Sequence, residues 1–117
     1  MHGKSCVLPL SDEPTIGNYV AIVGDEASAA LLAMFDEAFS PGMPIPTLPL
    51  VMPEMRLSDQ LCYWDEGYPA LMLTDTAPYR NPNYHKTTDT VETLDLQAMA
   101  SITLQFVQAM RKLCIRA

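Results

Sequence analysis

Between Leu57 and Asp95 the chain reads LSDQLCYWDEGYPALMLTDTAPYRNPNYHKTTDTVETLD, and this stretch limits the fold more than any other. It begins with a short helical signal, passes through the apolar run from Pro69 to Leu73, and ends in a long polar loop. A brief continuous apolar run bounded by turn residues predicts a buried strand of the parallel kind. The segment from Thr74 to Thr93 carries Pro78, Pro82, Asn81 and Asn83 with no apolar periodicity, so it reads as a loop. That loop presents His85, the second and last histidine of the chain, just before a helix start. A rigid strand delivering a polar loop is a common way for α/β proteins to position reactive side chains.

The remaining segments supply the partners such a strand needs. Asn18 to Val23 (NYVAIV), ended by Gly24, is rich in β-branched and aromatic residues and predicts a second strand. Asp25 is placed to cap a helix over Ala27 to Phe39, with Glu26 favourable in its first turn. Helical spacing puts Leu31, Met34, Phe35 and Ala38 of that helix on one face, and Ser40-Pro41-Gly42 stops it. Pro44, Pro46, Pro49 and Pro53 exclude a central strand across the whole of residues 43 to 56, leaving room for a short edge strand near Leu48 to Met52. Ser58 is read as the cap of a short helical turn, with Leu61, Cys62 and Trp64 packing inward and Gly67 closing it. Asp95 caps the last helix, whose expected apolar stripe is Leu96, Met99, Ile102 or Thr103, Phe106, Met110 and Leu113. Residues 1 to 17 form an extended arm or edge strand, and residues 18 to 117 a single α/β unit of near-parallel strands with helices packed on the sheet.

At 117 residues the chain has the size of one domain with a modest core. A hydrophobic content of 49% argues against disorder. A net charge of −7 argues against a nucleic-acid phosphate backbone as partner. The apolar runs are far short of the roughly 18 residues that a membrane span needs. With no apolar leader in MHGKSCVLPLSDEP, a cytoplasmic location is expected. Cys6, Cys62 and Cys114 are an odd, widely spaced set, so reduced and mostly buried thiols are expected rather than disulfides or cysteine-bound zinc.

Read residue by residue, the chemistry centres on His85. A lone histidine is more often a surface or hydrogen-bonded residue than a ligand. A catalytic zinc normally takes three protein ligands and keeps one position open. Asp59, Asp65, Glu66, Asp75 and Asp89 are the acidic candidates, and none stands at a spacing diagnostic of a metal site. Cys62, beside Tyr63 and Trp64, has apolar neighbours that raise a thiol's pKa instead of activating it. Acyl-transfer, dinucleotide and phosphate-loop motifs do not occur in the sequence.

Ser58-Asp59, Trp64 and the run Gly67-Tyr68-Pro69-Ala70-Leu71-Met72-Leu73-Thr74-Asp75-Thr76-Ala77 resemble the C-terminal part of the co-catalytic di-zinc aminopeptidases. The likeness continues through Tyr79-Arg80-Asn81-Pro82, Tyr84-His85, Thr88-Asp89-Thr90 and Leu94-Asp95, and Gly17 to Gly24 is similar to the family's strand at that point. This family includes bacterial leucyl aminopeptidases and the related glutaminyl cyclases. The resemblance implies a mixed, mainly parallel sheet between helices, and two zinc ions held by histidines and carboxylates. His85 matches the family's last zinc ligand. Tyr79 and Tyr84 would lie near the pocket for the substrate's N-terminal side chain.

The departures from the family pattern bear on activity. The other ligand motifs, the bridging aspartate and the Glu-Glu pair all precede the matched region, and the position after Ser-Asp, often histidine in relatives, is Gln60. No residue here matches the general-base glutamate, so no catalytic residue is assigned. The expectation is a truncated, metallopeptidase-like half-domain, incomplete alone and self-associating into a homo-oligomer. The alternative is a zinc aminopeptidase completed by another subunit or by a missing upstream segment, with zinc as the implied cofactor.

Overall fold

The computed structural model describes residues 19–42, 47–75 and 81–116. The arm expected over residues 1 to 17 lies outside them. The fold is mixed α/β: strands β1 (Val20–Gly24), β2 (Thr47–Val51) and β3 (Leu71–Thr74), with helices α1 (Ala29–Phe39), α2 (Gln60–Asp65) and α3 (Leu96–Arg116). Single 3-10 turns at Glu26–Ser28 and Val91–Thr93 lead into α1 and towards α3.

The three strands form one sheet in the order β2-β1-β3. β1 is central and buried along its whole length, as a strand packed on both faces must be. β2 runs parallel to it, Val20 opposite Thr47 through Gly24 opposite Val51. The proline inside β2 is tolerated for a definable reason. The Met52 amide donates to the Gly24 carbonyl at 2.9 Å, so by the two-residue alternation the Leu48 and Leu50 amides also point at β1. Pro49 then faces outward, where its missing N–H breaks no ladder bond and blunts the edge against further pairing.

β3 corrects an expectation. It pairs antiparallel to β1, Ala21 opposite Thr74 through Gly24 opposite Leu71, and its residues are half-buried, not fully enclosed. The sheet is therefore mixed, with one parallel and one antiparallel pair.

Two cores lie on the two faces of the sheet. On one, Ala21, Val23, Met52, Met55 and Trp64 pack together, with Leu50 and Met72 at the margin. On the other, Ile22, Leu32, Phe35, Ala38, Phe39 and Ala109 pack with Leu71, Leu73, Ile102 and Leu113. Phe35 and Phe39 stack at 5.2 Å between ring centroids, one helical turn apart. The buried face of α1 is thus Leu32, Phe35, Ala38 and Phe39, and Met34, expected inside, is exposed. Phe39, fully buried at the foot of the helix, draws that face one residue around.

Short polar bonds fix where the helices start and stop. Asp25 accepts from the Ser28 amide at 2.9 Å and from the Ser28 hydroxyl, as expected of a cap. The same buried hydroxyl accepts from the Ala70 amide at 3.0 Å, tying the start of α1 to the residue before β3. In α3 the Asp95 carboxylate accepts from the Ala98 amide at 3.0 Å. At α2 the expected Ser58 cap gives way to Asp59, which makes no side-chain cap bond. Gly42 (φ 84°) and Gly67 (φ 81°) take left-handed conformations after α1 and α2, where a Cβ would be strained.

At the C-terminus of α1, the Gln105 amide from α3 donates to the Phe39 carbonyl at 2.9 Å and also to the Pro41 carbonyl. These are carbonyls that a helix end leaves without partners, here met by a buried side chain from another helix. Gln105→Ala is expected to cost about 1–3 kcal/mol, the usual penalty for buried polar groups left unpaired. Gln105→Leu should recover none of it; a urea unfolding series on both variants measures this.

Candidate functional site

The loop after β3 is built from local hydrogen bonds. Asn81 accepts from the Asn83 amide through its side chain at 2.9 Å, and the Tyr84 amide donates to the Asn81 carbonyl at 3.2 Å. The Lys86 amide donates to Asn83 and the Asp89 amide to Lys86, at 3.0 and 3.1 Å. These linked turns satisfy backbone groups that a proline-broken loop cannot place in a ladder.

His85 lies at the centre of this run with φ 57°, alone among non-glycine residues in the described chain in taking the left-handed region. That conformation is uncommon outside glycine and is held where the surrounding turns over-determine it. Its imidazole stacks on the Tyr84 ring at 4.0 Å between centroids and 14° between planes, and both side chains are exposed. The sequence-derived pair Tyr84 and His85 is thus brought together. Tyr79 lies outside the described residues.

The acidic candidates are dispersed. Asp59 and Glu66 flank α2 at its two ends, and Asp65, in its last turn, forms a 2.7 Å ion pair with Arg56. Asp75 follows β3, and Asp89 sits in the turns after His85. Among the described residues no group of three histidine, cysteine, aspartate or glutamate side chains is close enough to share a metal ion.

Three side chains stand where the sequence alone does not place them. Gln60 is buried: its amide donates to the Met55 carbonyl at 2.8 Å, and its Oε1 has no hydrogen-bond partner among the described residues. Cys62 and Cys114 are exposed free thiols, against the expectation of burial: α2 turns Gln60 and Trp64 inward instead of Cys62, and Cys114 lies on an exposed side of α3. Cys62 lines a shallow apolar recess with Tyr63, Glu66 and Tyr68, which takes in one acidic candidate, Glu66, but neither His85 nor Tyr84.

The exposed Glu92 carboxyl, in the turn leading to α3, is held below its ordinary value by its own backbone N–H and by Thr90. A lowered native pKa stabilises the fold above the unfolded-state value, and that contribution is lost as pH falls through the native one. The Val91–Thr93 turn is therefore expected to loosen as pH falls below the ordinary glutamate range, with Glu92→Gln insensitive there. Amide chemical shifts of Thr90 to Leu94 against pH check it.

The chain is similar to an uncharacterised protein of Escherichia coli (strain K12), YfbL, at 37% identity over 101 residues, 76% of this chain. The match spans 29% of the length of that relative. No protein-family model matches the sequence. No solved structure matches it either. Among the described residues no helix is long and apolar enough to cross a membrane.

Proposed function

We propose that this chain is the C-terminal part of a co-catalytic di-zinc aminopeptidase fold, metallopeptidase-like, catalytically incomplete alone and self-associating. The observation that carries the reading is His85, strained into a left-handed conformation and stacked on Tyr84 in a loop that leaves the sheet at the end of β3. Strain of this kind clusters at ligand clamps and active sites. The resemblance of the residues around it to the last zinc-ligand loop of that family supplies the chemistry. A relative of which this match spans 29% supports reading these residues as one part of a longer fold.

In this reading His85 contributes one nitrogen donor to a zinc ion whose other ligands come from a different stretch of polypeptide. When bound, the zinc pair would activate a water molecule for attack on an N-terminal peptide bond. Tyr84 orients the imidazole by stacking. The protein alone is expected to show no aminopeptidase activity. Mixed with a polypeptide carrying the family's missing ligand and Glu-Glu motifs, it is expected to gain zinc and hydrolyse aminoacyl substrates. His85→Ala should lower the zinc retained in that complex by about 10-fold or more, the scale seen when metal-site partners are lost. Zinc retention unchanged by His85→Ala, measured by elemental analysis after dialysis, would sink the reading.

A further inference from the structure

The outward side of α3 is apolar to a degree that a solvated helix is not. Leu96, Met99, Phe106, Val107 and Met110 remain 58%, 48%, 40%, 47% and 39% exposed. With the exposed Thr103 between them they form one stripe, centred roughly 110° around the helix from the core-facing Ile102, Gln105, Ala109 and Leu113 at 3.6 residues per turn. Leu96 to Met110 contains no charged residue. Glu92 and Asp95 stand immediately before it, and Arg111 and Lys112 immediately after.

This distribution selects its own occupant. Laid antiparallel on a second copy about an axis through Thr103, the stripe is self-complementary: Leu96 meets Met110, Met99 meets Val107, and Ala100 meets Phe106. The same register sets the acidic end of each copy, with Glu92 and Asp95, at the level of the basic end of the other, with Arg111 and Lys112. A parallel arrangement would align acid with acid and base with base, which is destabilising. Two-fold symmetric pairing of one patch with itself is the commonest form of protein self-association.

We propose that α3 is the self-association surface, forming an antiparallel two-fold helix pair centred on Thr103. The proposal gives a location to the self-association inferred above and is independent of whether His85 binds zinc. The stripe is only about 21 Å long at 1.5 Å per residue, which places the pair among small, weak interfaces. Dissociation in the micromolar range is therefore expected.

The test uses sedimentation of the full chain from 5 to 500 μM, followed by symmetric cross-linking. The wild type is expected to shift from 12.9 kDa towards twice that mass as concentration rises. Met99→Glu should weaken association at least 10-fold, and the double change Met99→Glu with Val107→Lys should restore it, because the register sets those positions face to face. Leu104→Glu, exposed but off the stripe, should leave association unchanged. With Cys6, Cys62 and Cys114 replaced by serine, Thr103→Cys should form a disulfide-linked dimer under mild oxidation. A monomer at 500 μM overturns both this surface and the self-association reading. A dimer that ignores Met99→Glu, or that Thr103→Cys fails to cross-link, overturns the surface alone. Circular dichroism on each variant separates loss of association from loss of folding.

Discussion

Phe39→Ala is expected to destabilise the protein by about 3–5 kcal/mol, the cost of truncating a fully buried phenylalanine and leaving a cavity. Phe39 has no solvent exposure, stacks on Phe35, and fills the corner where α1, α3 and the sheet meet around Ile22 and Ala109. Domains of this size are stable by only about 5–15 kcal/mol in total, so the loss removes a large part of the margin. Phe39→Leu keeps most of the volume and should cost less than half as much. Urea unfolding midpoints measure both, and equal midpoints for Phe39→Ala and the wild type would show that the face of α1 is wrongly assigned. Phe35→Ala is expected to be coupled to Phe39→Ala, since each ring is the other's neighbour.

Trp64→Ala carries the second large effect, again about 3–5 kcal/mol, on the opposite face of the sheet. The indole is the main apolar anchor of the short helix α2 and packs with Val23, Met52 and Met55. Its Nε1–H donates to the Ala70 carbonyl at 3.0 Å, next to the Ala70 amide held by Ser28. Ala70 is thus pinned from both sides of the sheet, and with it the start of β3. Trp64→Phe separates the two contributions: packing is largely kept, while the hydrogen bond, about 1 kcal/mol, is lost. Because the His85 loop follows β3 in the chain, Trp64→Ala should also broaden the Tyr84 and His85 resonances at temperatures well below global unfolding. Sharp, unshifted signals there would show that the loop holds its shape without that anchor.

Much of the secondary structure was legible locally. Asp25 and Asp95 cap where short polar side chains before apolar periodicity place them. Gly42 and Gly67 end helices because only glycine takes positive φ at low cost. The proline-rich segment yields an edge strand with Pro49 turned outward. At the candidate site, His85 stood out because the chain has only two histidines and this one sits in a loop without periodicity. Its left-handed backbone and its stack on Tyr84 were not legible, since both arise from hydrogen bonds between turns.

The sequence by itself placed the strands and helices to within a few residues, because capping, proline and periodicity act over that range. It also singled out one imidazole, that of His85. Tertiary structure decided the direction of β3, since a four-residue apolar run reads the same in either sense and only pairing with β1 orients it. It also decided which side of α3 turns inward. That helix is apolar over roughly half its circumference, and the stripe read from its large residues is mostly the exposed one. The buried stripe is the one carrying Ala109, small enough to admit Phe35 and Phe39, and Gln105, which donates to the open carbonyls at the end of α1.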